Sequence, residues 1–141
     1  MYAPQFRYWC HGYTFDGIAN QWSSPFSGLA ARAILADEWH KICCALATPG
    51  EDIVAFAGGP VPPPNHSGKI IAVTSINGKL DEMATYDEAK RGVDPLGVYT
   101  FLEEVAEYGR YRCYTQKPEG RKDMCCELGD HELPLDSLLR P

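Results

Sequence analysis

The sequence predicts a single α+β domain in which one helix precedes a run of antiparallel strands. Three observations lead to this class. Apolar residues recur at helical spacing within Gly28–Leu46, namely Leu29, Ala33, Ile34, Trp39, Ile42 and Leu46. The segments that follow are short and are separated by turns rich in Gly and Pro, which is typical of strands. Asn77-Gly78 is a hairpin signal between two of these segments. A helix followed by strands in this way indicates the α+β class.

The individual elements follow from local patterns. Ser24 or Ser27 can cap the helix, and Thr48-Pro49-Gly50 ends it. Because apolar and β-branched residues cluster between turn signals, four strands are predicted after the helix. These strands are Asp52–Ala57, His66–Val73, Lys79–Thr85 and Tyr111–Thr115. The Asn77-Gly78 turn would join the second strand to the third.

The remaining segments are more polar. Asp87–Pro95 is predicted to be a loop, and Val98–Tyr108 is predicted to be a helix that Gly109 stops. The 141-residue length suits one domain. We expect the compact domain to span residues 1–116. Residues 117–141 would form a polar arm that packs on the domain or is partly mobile.

Charge and hydropathy exclude several function classes. Thirteen basic residues face nineteen acidic ones, for a formal net charge of −6. Nucleic-acid binding and a polybasic membrane contact both need the opposite balance, so neither partner is expected. No apolar run approaches the ~20 residues of a membrane span, so no membrane insertion is expected. Met1 to Cys10 lack the pattern of a signal peptide, so export by the general secretory route is not expected.

Six cysteines are present, and four of them form two adjacent pairs, Cys43-Cys44 and Cys125-Cys126. Adjacent cysteines rarely bridge each other, and no Cys-x-x-Cys motif is present. We predict that most of the cysteines are reduced and that the chain holds no metal or other cofactor. Two alternatives stay open for Cys125 and Cys126. They could join His131 in a zinc site, or they could form bridges in an oxidising compartment.

Two residues carry the predicted chemistry. Cys10 precedes a glycine turn, where a thiol at a helix N-terminus would have a lowered pKa and free amides for an oxyanion. His66 opens an apolar strand, which would fix its backbone and leave its ring exposed to act as the base. His11 is less suitable because side chains of neighbouring residues do not face each other on a helix.

Three motifs in this order resemble NlpC-type papain-like cysteine hydrolases of the NlpC/CHAP clan. Cys10-His11-Gly12 is similar to their nucleophile turn, and Pro49–Phe56 to their Pro-Gly-Asp-Leu-Val-x-Phe strand. His66-Ser67-Gly68 resembles the strand that carries their base. The resemblance covers roughly residues 9–85. It implies a papain-like fold, with an N-terminal helix that bears the cysteine packed on a small antiparallel sheet.

The resemblance also implies a third catalytic residue. The family places it about four residues after the hairpin glycine, at Glu82, where a carboxylate would accept the Nδ1–H of His66. Asp81 is the alternative if the register slips by one residue. Tyr8 or Tyr13 would supply an oxyanion donor beside the Cys10 amide. Trp9 and Ser67 would line the substrate cleft.

The implied function is hydrolysis of amide bonds by Cys10 and His66, with peptidoglycan peptides as the substrate class. Such a protein would be made in the cytoplasm and delivered to a target-cell periplasm by a specialised secretion system. An immunity protein would then be a partner. Two alternatives stay open. The same residues could act on a cytosolic protein as a deamidase, transglutaminase-like enzyme or acyltransferase, or the domain could be a small non-catalytic binding module.

Overall fold

The computed structural model describes Thr14 and residues 39–57, 66–91, 95–117 and 127–134. Within these residues the fold is mostly antiparallel β. The strands are β1 (His40–Ile42), β2 (Ile53–Ala57), β3 (His66–Ala72), β4 (Ser75–Ile76), β5 (Lys79–Leu80), β6 (Tyr86–Lys90), β7 (Leu96–Thr100) and β8 (Arg110–Thr115). Helix α1 (Phe101–Tyr108) and a 3₁₀ turn (Cys44–Leu46) complete these elements. No described helix is both long and apolar enough to cross a membrane.

Six strands form one sheet in the order β1-β8-β2-β3-β6-β7, and every neighbouring pair is antiparallel. Strand β2 lies inside the sheet, where Val54 pairs with Gly68 of β3 and with Cys113 of β8. All five residues of β2 are buried, which explains its uninterrupted apolar sequence. Strands β4 and β5 form a separate two-stranded ribbon.

The main core lies on the face of the sheet that α1 covers. Val54 and Phe56 point into this core, because alternate strand residues share a face. The ring of Phe56 packs edge-on against Phe101 of α1, with centroids 6.1 Å apart, and against Tyr111 of β8. Ile53 and Ala55 belong to a smaller cluster with Tyr114 and Trp39. The burial of both faces makes β2 the centre of the described fold.

The predicted papain-like α+β fold with an N-terminal helix is wrong, because the described chain is a β-rich sheet. Residues 28–38 of the predicted helix lie outside the described residues. Residues 39–46 are described and contain β1 and the 3₁₀ turn instead. The physical reason is tertiary: β1 pairs with β8, and a disulfide bond holds the following turn to the same strand.

Several other predictions are confirmed. Strands β2, β3 and β8 lie at the predicted places, with bounds that differ by one residue. Asn77 and Gly78 both have positive φ angles, 53° and 84°, as a two-residue hairpin turn requires. Gly109 ends α1 with φ 95°, a conformation that favours glycine.

Two predicted elements are wrong. The third strand extends only over β5, because Asp81 starts a turn in which its Oδ1 accepts the N–H of Met83. The predicted loop Asp87–Pro95 contains most of strand β6. The polar sequence of β6 suggested solvent, whereas Asp87 and Lys90 are buried in the sheet.

Disulfide bonds also depart from prediction. Cys44 and Cys113 form a bond with their Cα atoms 5.2 Å apart, which ties the 3₁₀ turn to β8 across 69 positions of sequence. Cys43 is disulfide-bonded as well. The expectation of a mostly reduced chain is therefore wrong for these three cysteines.

Residues 127–134 pack against the sheet. Tyr111 and Glu132 form a β-bridge, and Leu133 is buried. The buried carboxylate of Glu132 accepts hydrogen bonds from the N–H groups of Cys44 and Gly129, each 2.9 Å long. This part of the chain therefore contributes to the core. The division into residues 1–116 and 117–141 stays a prediction.

We expect the double variant Cys44→Ala/Cys113→Ala to lose roughly 2–5 kcal/mol of unfolding free energy, because the bond closes a long loop in the unfolded chain. Urea denaturation measures this loss. The control Leu46→Ala changes an exposed side chain of the same turn and should stay within about 0.5 kcal/mol of wild type. A double variant with an unchanged urea midpoint would contradict the stabilising role of this bond.

Candidate functional site

His66 occupies the first position of β3 and is buried in the core beneath α1. Its imidazole is only 1% exposed, so the expectation of an exposed ring is wrong. Strand pairing places it opposite Phe56, whose ring centroid lies 5.6 Å away. The ring also stacks on Tyr108 of α1, with centroids 3.8 Å apart and planes 10° from parallel. The two aromatic neighbours fix the plane of the imidazole.

A carboxylate of α1 holds the ring of His66 from its edge. The Nε2 atom of His66 lies 2.7 Å from Oε2 of Glu104, which has no exposure to solvent. A carboxylate only accepts hydrogen bonds, so Nε2 carries the proton and Nδ1 is the basic nitrogen. The other oxygen of Glu104 accepts two bonds from Arg91, at 2.9 and 2.5 Å. The guanidinium of Arg91 in turn lies 3.9 Å from the ring centre of Tyr99.

These contacts set the charges of His66 and Glu104. Burial lowers the pKa of His66, and the hydrogen bond to Glu104 only partly opposes this shift. Burial by itself would raise the pKa of Glu104, but the hydrogen bonds from His66 and Arg91, together with the neighbouring Asp87, outweigh it, and the pKa lies below its usual value. A neutral imidazole therefore stands beside an ionised carboxylate.

Asp87 of β6 is the fourth member of this group. It has no solvent exposure, and neither oxygen has an N–H or O–H donor among the described residues. Burial and the neighbouring Glu104 raise its pKa well above the ordinary value. The raised pKa favours the protonated form of Asp87, which can donate to Glu104 whereas a carboxylate cannot. We call His66, Asp87, Arg91 and Glu104 the His66 cluster.

A metal ion is the other conceivable occupant of this cluster. Ligand atoms of His66, Asp87 and Glu104 all lie within 4.8 Å of one another. Two tetrahedral zinc ligands at ~2.0–2.1 Å from the ion stand roughly 3.3 Å apart. The 2.7 Å between Nε2 and Oε2 is shorter and corresponds to a direct hydrogen bond. The observed arrangement therefore fits a hydrogen-bonded pair better than a metal centre.

Close packing of the strands requires a glycine in the His66-Ser67-Gly68 motif. A Cβ atom at Gly68 would collide with Oδ2 of Asp87 on the adjacent strand and would stand 3.2 Å from Cβ of Ala89. The buried Ser67 between them pairs with Ala55 of β2. The motif therefore places His66 and Asp87 side by side beneath α1.

Glu82, the predicted partner of His66, belongs to a second group on the described chain. Its Oε1 accepts from Nδ1 of His131 at 2.8 Å. Its Oε2 accepts from the hydroxyl of Tyr111 at 2.6 Å and from the backbone N–H of His131 at 2.8 Å. The structure therefore does not bring Glu82 to His66; it brings Glu104 there. Asp81 starts the adjacent turn.

Most of the other predicted site residues cannot be placed relative to His66. Cys10, Tyr8, Trp9 and Tyr13 lie outside the described residues, so their pairing with His66 stays a prediction. Cys125 and Cys126 of the zinc alternative also lie outside them, and the described partner of His131 is Glu82.

Glu104 is the functional candidate that sequence reasoning missed. Thr100 and Glu103 form a capping box that starts the helix at Phe101. From that start, Glu104 shares a face with Phe101, because residues three apart are neighbours on a helix. An acidic residue within the apolar stripe of a helix was the available signal.

Comparisons with known proteins add no assignment: no protein-family model, curated protein or solved structure matches this chain. The likeness to NlpC-type hydrolases therefore depends on the three sequence motifs alone.

The protonation of Asp87 gives stability a testable pH dependence. Its folded-state pKa is raised, so its contribution is complete below the ordinary value of about 4 and is lost as pH rises toward the folded value. Asp87→Asn keeps the shape and a donor without the titration. We expect its unfolding free energy to rise relative to wild type as pH increases from 4 to 8, measured by urea denaturation.

The variant Asp87→Leu serves as the comparison, because it has a similar volume but no donor for Glu104. We expect it to be less stable than Asp87→Asn across this pH range. A constant difference between Asp87→Asn and wild type at every pH would show that Asp87 does not carry the proton.

Proposed function

We propose that the protein is a cysteine peptidase or amidase in which Cys10 is the nucleophile, His66 the base and Glu104 the residue that orients the base. The observation that carries the proposal is the buried hydrogen bond between Nε2 of His66 and Glu104. Glu104 takes the role that the sequence had suggested for Glu82.

The geometry of the His66 cluster suits a base. Because Glu104 engages Nε2, the atom that would take a proton from a thiol is Nδ1. The proton makes His66 an imidazolium, which the ionised Glu104 stabilises at 2.7 Å. Arg91 neutralises Glu104 while the imidazole is uncharged and holds its carboxylate in place through two hydrogen bonds. Stacking on Tyr108 keeps the ring from rotating.

The proposed reaction has two halves. The sulfur of Cys10 attacks the amide carbon while Nδ1 of His66 takes the thiol proton. The carbon–nitrogen bond breaks, the amine leaves with that proton, and a thioester to Cys10 is formed. Water then attacks the thioester, His66 accepts a proton from it and returns this proton to the sulfur. The products are a carboxylic acid and an amine.

Peptidoglycan peptides are the substrates we propose, from the likeness to NlpC-type hydrolases. The Cys44–Cys113 disulfide supports this choice, because such bonds persist in oxidising compartments outside the cytosol. It disfavours the alternative of a deamidase or acyltransferase with a cytosolic protein substrate. Delivery to a target-cell periplasm and a cognate immunity protein belong to the same proposal.

Digestion of purified muropeptides, read by mass spectrometry, tests the catalytic roles. Cys10→Ala should abolish the release of fragments, and Glu104→Gln should lower the rate roughly 10²–10⁴-fold, because the amide lacks the charge that stabilises imidazolium. Glu103→Gln is the matched control: it lies next to Glu104 but is exposed, and its rate should match wild type. Equal rates for wild type and Cys10→Ala would overturn the proposal.

The thiol state of Cys10 provides a second, independent test. Cys44 and Cys113 are bonded to each other, so the sequence leaves Cys10, Cys125 and Cys126 as candidate partners for the disulfide of Cys43. The proposal requires Cys10 to react with iodoacetamide without reductant, which peptide mapping detects. We expect a labelled Cys10 and a Cys43 bridge to Cys125 or Cys126. A bridged Cys10 would leave the non-catalytic binding module as the better interpretation.

A further inference from the structure

A separate cavity of about 370 Å³ lies beside the β4–β5 hairpin, where residues 81–83, Leu102 and residues 130–131 converge. Its volume falls within the usual range for small-molecule sites. Three of its lining side chains are large, apolar and unusually exposed: Ile76 at 59%, Met83 at 69% and Leu102 at 38%. The cavity contains no member of the His66 cluster.

His131 forms the polar part of this cavity and is held in one orientation by Glu82. Its Nδ1–H and its backbone N–H both donate to that carboxylate, which also accepts a hydrogen bond from the hydroxyl of Tyr111. Burial raises the pKa of Tyr111 far above its usual value, so its hydroxyl stays a donor. Gly129 permits the close approach, because a Cβ atom there would collide with the hydroxyl of Tyr111.

This arrangement leaves one ring nitrogen of His131 within reach of a ligand. Glu82 engages Nδ1, whereas no described residue forms a hydrogen bond with Nε2. The imidazole is 43% exposed where it lines the cavity. The tautomer with its proton on Nδ1 offers Nε2 as an acceptor for an N–H or O–H donor of a ligand.

The charges of the lining decide which donor fits. Three carboxylates, those of Asp81, Glu82 and Asp130, face one ammonium, that of Lys79. Lys79 is paired with Asp130 at 2.5 Å, and the pairing raises the pKa of Lys79 and lowers that of Asp130, so both stay charged. Glu82 is engaged by its three donors. Asp81 therefore leaves the cavity with uncompensated negative charge that favours a cation.

We propose that this cavity binds a primary ammonium group carried on an apolar substituent, as the amino end of a peptide with an aliphatic side chain presents it. The ammonium would donate to Nε2 of His131 and pair with Asp81. The aliphatic group would cover Ile76, Met83 and Leu102. The site is independent of the proposed catalysis, because it shares no residue with the His66 cluster.

Titration of the ¹⁵N-labelled full chain with leucinamide, followed by NMR, tests the proposal. We expect saturable shifts confined to the amides of residues 76–83, 102 and 129–131, with a dissociation constant on the order of millimolar for so small a ligand. The matched probe N-acetyl-leucinamide has the same side chain without the ammonium. It should bind at least about tenfold more weakly, the cost of one lost charged hydrogen bond.

Four variants locate the contacts. Asp81→Asn keeps the acceptor for Met83 but removes the charge, and His131→Asn keeps a donor for Glu82 but removes Nε2; each should weaken leucinamide binding about tenfold. Ile76→Ala should weaken it about threefold through lost apolar contact, whereas Ile71→Ala, an exposed isoleucine elsewhere, should not change it. If His131→Asn does not fold, Asp81→Asn and the two isoleucine variants still test whether the cavity binds the ammonium group.

Equal binding of the two probes, or leucinamide shifts that do not saturate, would overturn the ammonium site. So would unchanged affinity in Asp81→Asn. Muropeptide hydrolysis is measured separately on the same wild-type chain, so a failed ammonium site and a failed catalytic proposal give different results.

Discussion

A buried carboxylate needs donors from several directions, and the described fold is arranged around meeting this need at Glu104. Its two oxygens receive His66 from β3 and Arg91 from the end of β6, and Asp87 of β6 stands beside them. Removing one partner from a buried charged group typically costs about 3–5 kcal/mol, so these positions constrain one another. Helix α1 can pack on the sheet only where Phe101 enters the apolar core and Glu104 meets its donors.

The same constraint explains the close contact between β3 and β6. The side chain of Asp87 reaches the cluster because Gly68 has no Cβ atom in its way. Gly68 is thus part of the site even though it carries no functional group. Asp87 lies in the interior for the same reason: it meets the requirements of the cluster rather than those of solvent.

The described chain contains two glutamate–histidine pairs in different surroundings. The imidazole of His66 has almost no exposure, stacks on Tyr108 and contacts Phe56, which suits a residue that must keep one orientation through a proton transfer. The imidazole of His131 is half exposed, and its glutamate is fixed by Tyr111 and by the backbone of the 129–132 turn. The first environment suits a base within a dry site, and the second suits a fixed acceptor that a ligand can reach.

Local patterns in the sequence determined much of the sheet. The apolar run of β2, the His66 strand, the Asn77-Gly78 turn and the helix stop at Gly109 each depend on residues close together in sequence, and each was predictable for that reason. His66 was also identified as the residue around which chemistry would be built. Only the tertiary structure decided its partner, because the choice between Glu82 and Glu104 depends on which elements become neighbours in space.

Strand order and helix placement decided the partner of His66 and the pairing of the cysteines. Glu82 lies closer to His66 in sequence, but the β4–β5 ribbon stands apart from the main sheet, whereas α1 covers it. Cys44 and Cys113 pair because the turn after β1 lies against β8, a contact that no local pattern encodes. Residues 39–46 have helical spacing, yet strand pairing and this bond stabilise β1 and the 3₁₀ turn instead. Local sequence therefore determined the elements, and long-range contacts determined which side chains meet.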